Sequence, residues 1–161
     1  MSHRRKITPC LWFEHVALEA ARYYVGIFGG SIDAILTAKT DTPGNREGDV
    51  LLVEFTVAGE QYQAINGGPH DKFNDAISLS VLCEDQAEID RLWSALTSDG
   101  GRPVQCGWVK DRYGLSWQVV PRRLFELISD PDPARGKRVM QAMLEMIRLD
   151  IAQLEAAAAG R

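Results

Sequence analysis

Histidine is scarce in this chain, with three in 161 residues. His3 lies in a tail, His15 follows a candidate strand near a helix start, and His70 follows the turn Gly67-Gly68-Pro69. Each reads as a surface or loop histidine, which argues against an imidazole-based site. Cysteine is equally sparse: Cys10, Cys83 and Cys106 are an odd number at no metal-like spacing. A disulfide framework is therefore not expected, and a reducing compartment suits the chain better. The chain has no stripe of Lys and Arg beyond the short end His3 to Lys6, and its formal charge is −4. Nucleic acid is not an expected partner, and that basic end reads as a solvated tail. No apolar run approaches bilayer length, and no apolar segment follows the basic start. Neither a membrane span nor a signal peptide is expected, so the localisation expected is cytoplasmic.

What the chain does have is an ordinary apolar content of 45% and an internal repeat. Ile7 to Glu14 and Ile77 to Glu84, seventy positions apart, both alternate as strands do. Each precedes an amphipathic helix. The first carries Val16, Ala20, Tyr23, Tyr24 and Ile27 on one face; the second starts with the capping-box pair Asp85 and Glu88 and buries Ile89, Leu92, Trp93 and Leu96. Glycine pairs, Gly29-Gly30 and Gly100-Gly101, are placed to stop the helices. Strands follow at Ser31 to Thr40, Asp49 to Ala58 and Glu60 to Ile65, with a loop from Asp41 to Asn45. The stretch Gly59 to Ile65 recurs as Gly114 to Val120: Gly, two residues, aromatic, Gln, two apolar residues. Each half thus reads as strand, helix and three strands. The fold class expected is α+β: paired βαβββ modules forming a curved mixed sheet around a cavity, with a C-terminal helix.

The residues Ile7-Thr8-Pro9, Leu11-Trp12-Phe13, Asn66-Gly67-Gly68-Pro69, Asp75-Ala76-Ile77-Ser78, Cys83-Glu84-Asp85-Gln86, Ile89 to Trp93, Gln105 to Pro121 and Met140 to Met143 carry a resemblance. The chain resembles the vicinal oxygen chelate superfamily, which includes glyoxalase I, bleomycin and fosfomycin resistance proteins and extradiol dioxygenases. It is most similar to the PhnB-like branch, often labelled demethylubiquinone methyltransferase. The boundaries expected are module one at about 5–68, module two at about 75–121 and a tail at about 122–161 within a single domain.

The resemblance implies candidate site positions. Metal-using relatives draw ligands from the first and last strand of each module, which here offer Thr8, Ser78, Gln63 and Gln118, with Cys10 and Ser80 next inward. These side chains bring no formal negative charge, so no cofactor and no metal are expected, a weakly held divalent ion being the alternative. Trp12 is in phase with Thr8 and Cys10 and is expected to line the cavity as a stacking wall or fill the core. Trp117 and Tyr62 then point the other way, under the helices. The candidate cavity lining is Thr8, Cys10, Trp12, Gln63, Ser78, Ser80 and Gln118.

Other chemistry is weaker. Gly26 to Gly30 ends a helix and does not open one, and no Rossmann-like alternation follows, so the residues themselves give methyl transfer no support. Cys106 has no histidine base beside it and reads as structural. Lys110 and Asp111 read as a solvated ion pair in a turn. In the tail, Leu124 to Ile128 reads as a short helix. Asp132 caps a second, long helix with the stripe Val139, Met140, Met143, Ile147, Ile151 and Leu154, and Glu155 to Arg161 is expected to fray. That stripe needs cover from its own chain or another, and the resemblance implies a homodimer. The expected function is binding of a small organic molecule; the alternative is an enzyme of the same superfamily.

Overall fold

The structure is a computed structural model and describes residues 5–161, so His3 and Arg4 of the basic end lie outside the described residues. The chain divides into two compact units, Met1–Phe73 and Asn74–Arg161. The first holds β1 (Cys10–Phe13), α1 (Ala17–Phe28), β2 (Gly30–Thr37), β3 (Val50–Val57) and β4 (Glu60–Asn66). The second holds β5 (Ser78–Cys83), α2 (Gln86–Thr97), β6 (Arg102–Pro103), β7 (Trp108–Lys110) and β8 (Ser116–Pro121). Its tail forms α3 (Arg122–Ile128), α4 (Pro133–Leu144) and α5 (Ile151–Ala158).

Both sheets have the same order, β1-β4-β3-β2 and β5-β8-β7-β6. In each, the first strand runs parallel to the last and the other pairs are antiparallel. The repeat in the sequence is therefore a repeat in topology. Cys10 lies opposite Gln63 and Ser80 opposite Gln118, so the two glutamines hold the same lattice position.

In module one, α1 packs on one face of its sheet. Ala17, Ala20, Ala21 and Tyr24 are buried beside Val53, Phe55 and Ala64. Tyr24, Phe55 and Tyr62 stack in sequence, with ring centroids 6.3 and 5.7 Å apart. Two expectations shift here. β1 starts at Cys10, leaving Ile7 and Thr8 outside it, and the face of α1 is rotated, because Val16 is the exposed residue before the helix. Small alanines let the helix lie close to the sheet, which moves the buried stripe onto them.

In module two, Ile89, Leu92, Trp93 and Leu96 are buried as the spacing implies. Asp85 accepts from the Glu88 backbone N–H at 2.8 Å. The Glu88 carboxylate reaches back to the N–H of Glu84, one residue before the cap. Helix α2 ends at Thr97, ahead of the glycine pair; Asp99 and Gly100 then make the left-handed turn, with φ of 50° and 100°.

The tail departs most from expectation. The stripe does not lie on one long helix, because the chain leaves α4 after Leu144 and re-enters helix at Ile151. Between them Met146 and Ile147 accept backbone hydrogen bonds from Cys106 and Gly107, both at 2.8 Å, so this segment pairs with the hairpin before β7. Asp150 then caps α5 through the N–H of Gln153 at 2.9 Å. Val139, Met146, Leu149, Leu154 and Ala158 bury against Val120, Leu124 and Leu127 of the same unit. Fraying from Glu155 is also corrected: Leu154 and Ala158 are buried, and Arg138 donates to the carbonyls of Ala157 and Ala158 at 3.0 and 2.8 Å. Those bonds satisfy terminal carbonyls that a free helix end would leave to water.

Candidate functional site

Alternation along β3 and β4 divides side chains between the helix-covered face and the opposite, open face. Phe55, Tyr62 and Ala64 go under α1; Glu54, Gln63, Cys10 and Trp12 go to the open face. A pocket of about 60 Å³ opens there, lined by Thr8, Glu54, Gln61 and Gln63 together with Arg5 and Asp33. Gln63 donates its amide N–H to a Glu54 carboxylate oxygen at 3.3 Å, and Glu54 is only 8% exposed. Asp33 accepts from the hydroxyls of Ser31 and Thr56, both at 2.6 Å. Arg5 pairs with Glu60, and its backbone N–H donates to Gln61.

Glu54 is the residue that sequence reasoning missed. It corrects the expectation that the site side chains bring no charge: a carboxylate lies hydrogen-bonded to Gln63. The signal was present as a lone acid amid Val53 and Phe55 in an otherwise apolar strand. A charge held in such a strand and buried is costly unless something engages it, so its position is informative.

Trp12 reaches the open face as its phase implied. Its indole N–H donates to the carbonyl of Gly68 at 2.9 Å, and its ring lies so close to Gly67 that a Cβ there would come within 2.2 Å. One side of the indole is thereby taken up by the Gly67-Gly68 loop. Cys10 is exposed, yet burial around its sulfur pushes the thiol up, away from a reactive thiolate.

In module two the open face carries a different set. Gln118 donates to the Ser78 hydroxyl at 2.8 Å. Trp108, not an acid, stands opposite Gln118 in the position that Glu54 holds opposite Gln63. Ser80 is exposed. Lys110 forms an ion pair with Asp75 at 2.5 Å, and Ser116 donates to the same carboxylate oxygen at 3.1 Å. The ammonium, then the Ser116 hydroxyl, hold the Asp75 carboxyl below its usual range.

The expected Lys110–Asp111 surface pair is thus corrected. Asp111 is buried and accepts from the backbone N–H groups of Tyr113 and Leu115 and from the Trp117 indole, at 2.8, 3.1 and 2.8 Å. It builds the turn before β8. Cys106, half-buried, points its thiol to the carbonyl of Leu144 at 3.9 Å, within the contact between hairpin and tail. Cys83 is buried, and desolvation pushes its thiol up to about 12. His15 and His70 are exposed.

The metal that the superfamily implies can be tested against these donors. Thr8, Gln63, Ser78 and Gln118 are neutral, and Ser78 and Gln118 already bond to each other. Among the described residues no three His, Cys, Asp or Glu side chains come together. Glu54 adds a single carboxylate. A catalytic divalent ion asks for more charged or imidazole donors than that, so this set does not fit one.

A family model described as 3-demethylubiquinone-9 3-methyltransferase matches residues 5–120. The chain belongs to this family. Among solved structures it is similar to a Bacillus cereus protein described as a 3-demethylubiquinone-9 3-methyltransferase, PhnB protein. The two are 32% identical, with 73% of this chain and 99% of that one covered and a TM-score of 0.64. A Pseudomonas aeruginosa protein is 24% identical over 73% of this chain and 98% of its own, with a TM-score of 0.60, and shares the fold. A fosfomycin resistance protein of Listeria monocytogenes is 12% identical over 73% and 93%, with a TM-score of 0.48. No curated protein matches. The family and this relative make the chain PhnB-like. Its matched region ends at residue 120, so α3, α4 and α5 lie beyond it. No helix among the described residues is long and apolar enough to cross a membrane.

Proposed function

We propose that this PhnB-like protein binds a small organic molecule on the open faces of its two sheets, without a resident metal, and that it does so as a homodimer. The observation that carries the reading is the module-one pocket, where Glu54, Gln63 and Thr8 converge on a face that no helix of that module covers. Pockets with a few convergent polar groups on a rigid sheet are the usual form of a small-molecule site. Gln118 and Ser78 offer a second polar pair at the equivalent place in module two. Hydrogen-bonding side chains dominate both sets, which favours recognition over turnover. Exposed Met140, Leu144 and Ile147 in the tail region favour a partner copy there.

The test is to denature protein purified from its native host and identify released small molecules by mass spectrometry, alongside metal analysis. A stoichiometric organic compound, lost when Gln63 and Gln118 are both changed to Ala, supports the reading. Stoichiometric divalent metal, lost in the same variant, overturns its metal-free part. Light scattering on the eluted peak reads the dimer, and a monomer mass overturns that part.

The rival reading is the methyl transfer named in the family's description. It predicts that S-adenosylmethionine raises the melting temperature and that a methyl group passes to a demethylated quinone. Against it, Gly29 and Gly30 sit at the end of α1 and the start of β2, away from any strand-to-helix turn of the type that cradles nucleotide cofactors.

A further inference from the structure

We infer that the open face of module two takes a flat, uncharged group with a hydrogen-bond donor beside an acceptor, as the edge of a lactam has, and that Trp108 is its stacking wall. The inference rests on the small-molecule reading above and names a ligand class for its module-two half. Strand register sets the row. Ser80 on β5 lies opposite Gln118 on β8, and Gln118 lies opposite Trp108 on β7. Paired residues send their side chains to one face, and neighbouring strands are about 4.8 Å apart. Hydroxyl, amide and indole therefore stand side by side. Val109, Trp117 and Val119, which alternate with them, are buried on the face that α2 covers.

Three features define what the row can hold. The first is an unused donor. The Trp12 indole N–H donates to Gly68 and the Trp117 indole to Asp111, whereas that of Trp108, half-buried, donates to none of the described residues. An indole N–H only donates, so a ligand must bring the acceptor. The second is an unused acceptor. The Gln118 amide nitrogen is turned to the Ser78 hydroxyl at 2.8 Å, which leaves Gln118 Oε1 open among the described residues, beside the exposed hydroxyl of Ser80. The third is the indole ring, which makes no ring contact with the described residues and offers its face to a flat partner. None of the three side chains carries a formal charge, so the row discriminates by where donors and acceptors stand. Module one holds Cys10, Gln63 and Glu54 in the corresponding row, with no aromatic side chain in it. The preference belongs to module two.

Three flat probes test it on the full chain by two-dimensional NMR. In 2-pyridone a donor stands beside an acceptor, its isomer pyridine N-oxide has the acceptor alone, and pyrrole has the donor alone. The expected result is that 2-pyridone shifts the Trp108 indole N–H signal, assigned through Trp108→Phe, together with the Gln118 side-chain amide. It should bind about fivefold or more tighter than either of the others. Trp108→Phe keeps an aromatic ring and loses the N–H, so there the advantage of 2-pyridone over pyrrole should fall to within about twofold. Equal binding of the three probes, an unchanged advantage in Trp108→Phe, or an unmoved Trp108 indole overturns the inference. A small molecule recovered from the purified protein while the probes leave Trp108 unmoved would keep the small-molecule reading and remove this one. The isomer comparison on the unaltered chain stands even if the variant does not fold.

Discussion

The two modules share one topology and stabilise it by different means. Helix α2 is capped locally, by Asp85 immediately before it. Helix α1 has Val16 at that position and no local side-chain cap. Its cap comes from the far end of the sheet: Asn66 accepts from the N–H of Ala17 at 2.8 Å and donates to the carbonyl of Val50 at 2.9 Å. Asn45 donates to the Asn66 carbonyl in turn. The closing hairpins differ likewise. Between β3 and β4 lies the two-residue turn Ala58-Gly59, with φ of 48° and 82°, a pattern that matches the twist of the strands. Between β7 and β8 a longer loop folds around buried Asp111. Duplicated architecture constrains strand order and leaves the choice of polar staple free, and at the open faces the same freedom separates Glu54 from Trp108.

That contrast can be broken most severely at its buried staples. Asn66→Ala removes a helix cap and a strand contact together, and it should cost about 3 kcal/mol in a urea titration, against about 1 kcal/mol for Asp85→Ala. Equal losses for the two would mean that the remote cap is no more than a surface cap. Asp111→Ala leaves two backbone N–H groups and the Trp117 indole without their acceptor, so a loss of about 3 kcal/mol is expected. The corresponding turn in module one is limited by backbone conformation, and Gly59→Ala should lose only about 1–2 kcal/mol through its positive φ. A near-neutral Asp111→Ala would show that the module-two loop refolds without its acid.

A smaller effect lies at Cys83. Its thiol titrates at about 12, above the ordinary cysteine value, so folding keeps it neutral. The unfolded chain releases that proton more readily, so the contribution to stability is whole below the unfolded value. It declines as pH rises from there toward about 12. Alkylation at pH 8 should therefore modify Cys10 well before Cys83; prompt labelling of Cys83 in the folded protein would contradict its burial. The smallest effect is at Asp75. Its carboxyl is held low by Lys110, so its share of stability is present above the unfolded value and lost as pH falls through the folded one. Lys110→Met should move the Asp75 NMR titration upward by a measurable fraction of a pH unit, and an unmoved midpoint would remove the ion pair from the account.

Much of this was legible in the residues. Trp117 and Gln118 alternate, and so do Tyr62 and Gln63, which sorts each aromatic under a helix and each glutamine onto the open face. Asp132 followed by Pro133 marked the start of α4, and Asp132 does accept from the N–H of Ala134. Thr8 and Gln63 do meet in one pocket, and Ser78 does meet Gln118. The partner of a charged side chain was not legible. Lys110 stands next to Asp111 in sequence, but adjacent residues on a strand point to opposite faces, and Lys110 reaches Asp75 instead. Glu54 lies on β3, nine positions from Gln63, and only strand register brings the two side by side.

The sequence by itself determined the repeat, the order of elements and the family, since hydrophobic alternation and glycine placement act over a few residues and are written in order along the chain. Tertiary structure alone decided which acid joins which glutamine, how α1 is capped, and that the tail's apolar stripe breaks to pair with the Cys106-Gly107 hairpin. Those outcomes depend on burial and on hydrogen bonds between residues tens of positions apart. A buried polar group takes whichever partner the fold brings within about 3 Å, and sequence spacing does not encode that distance.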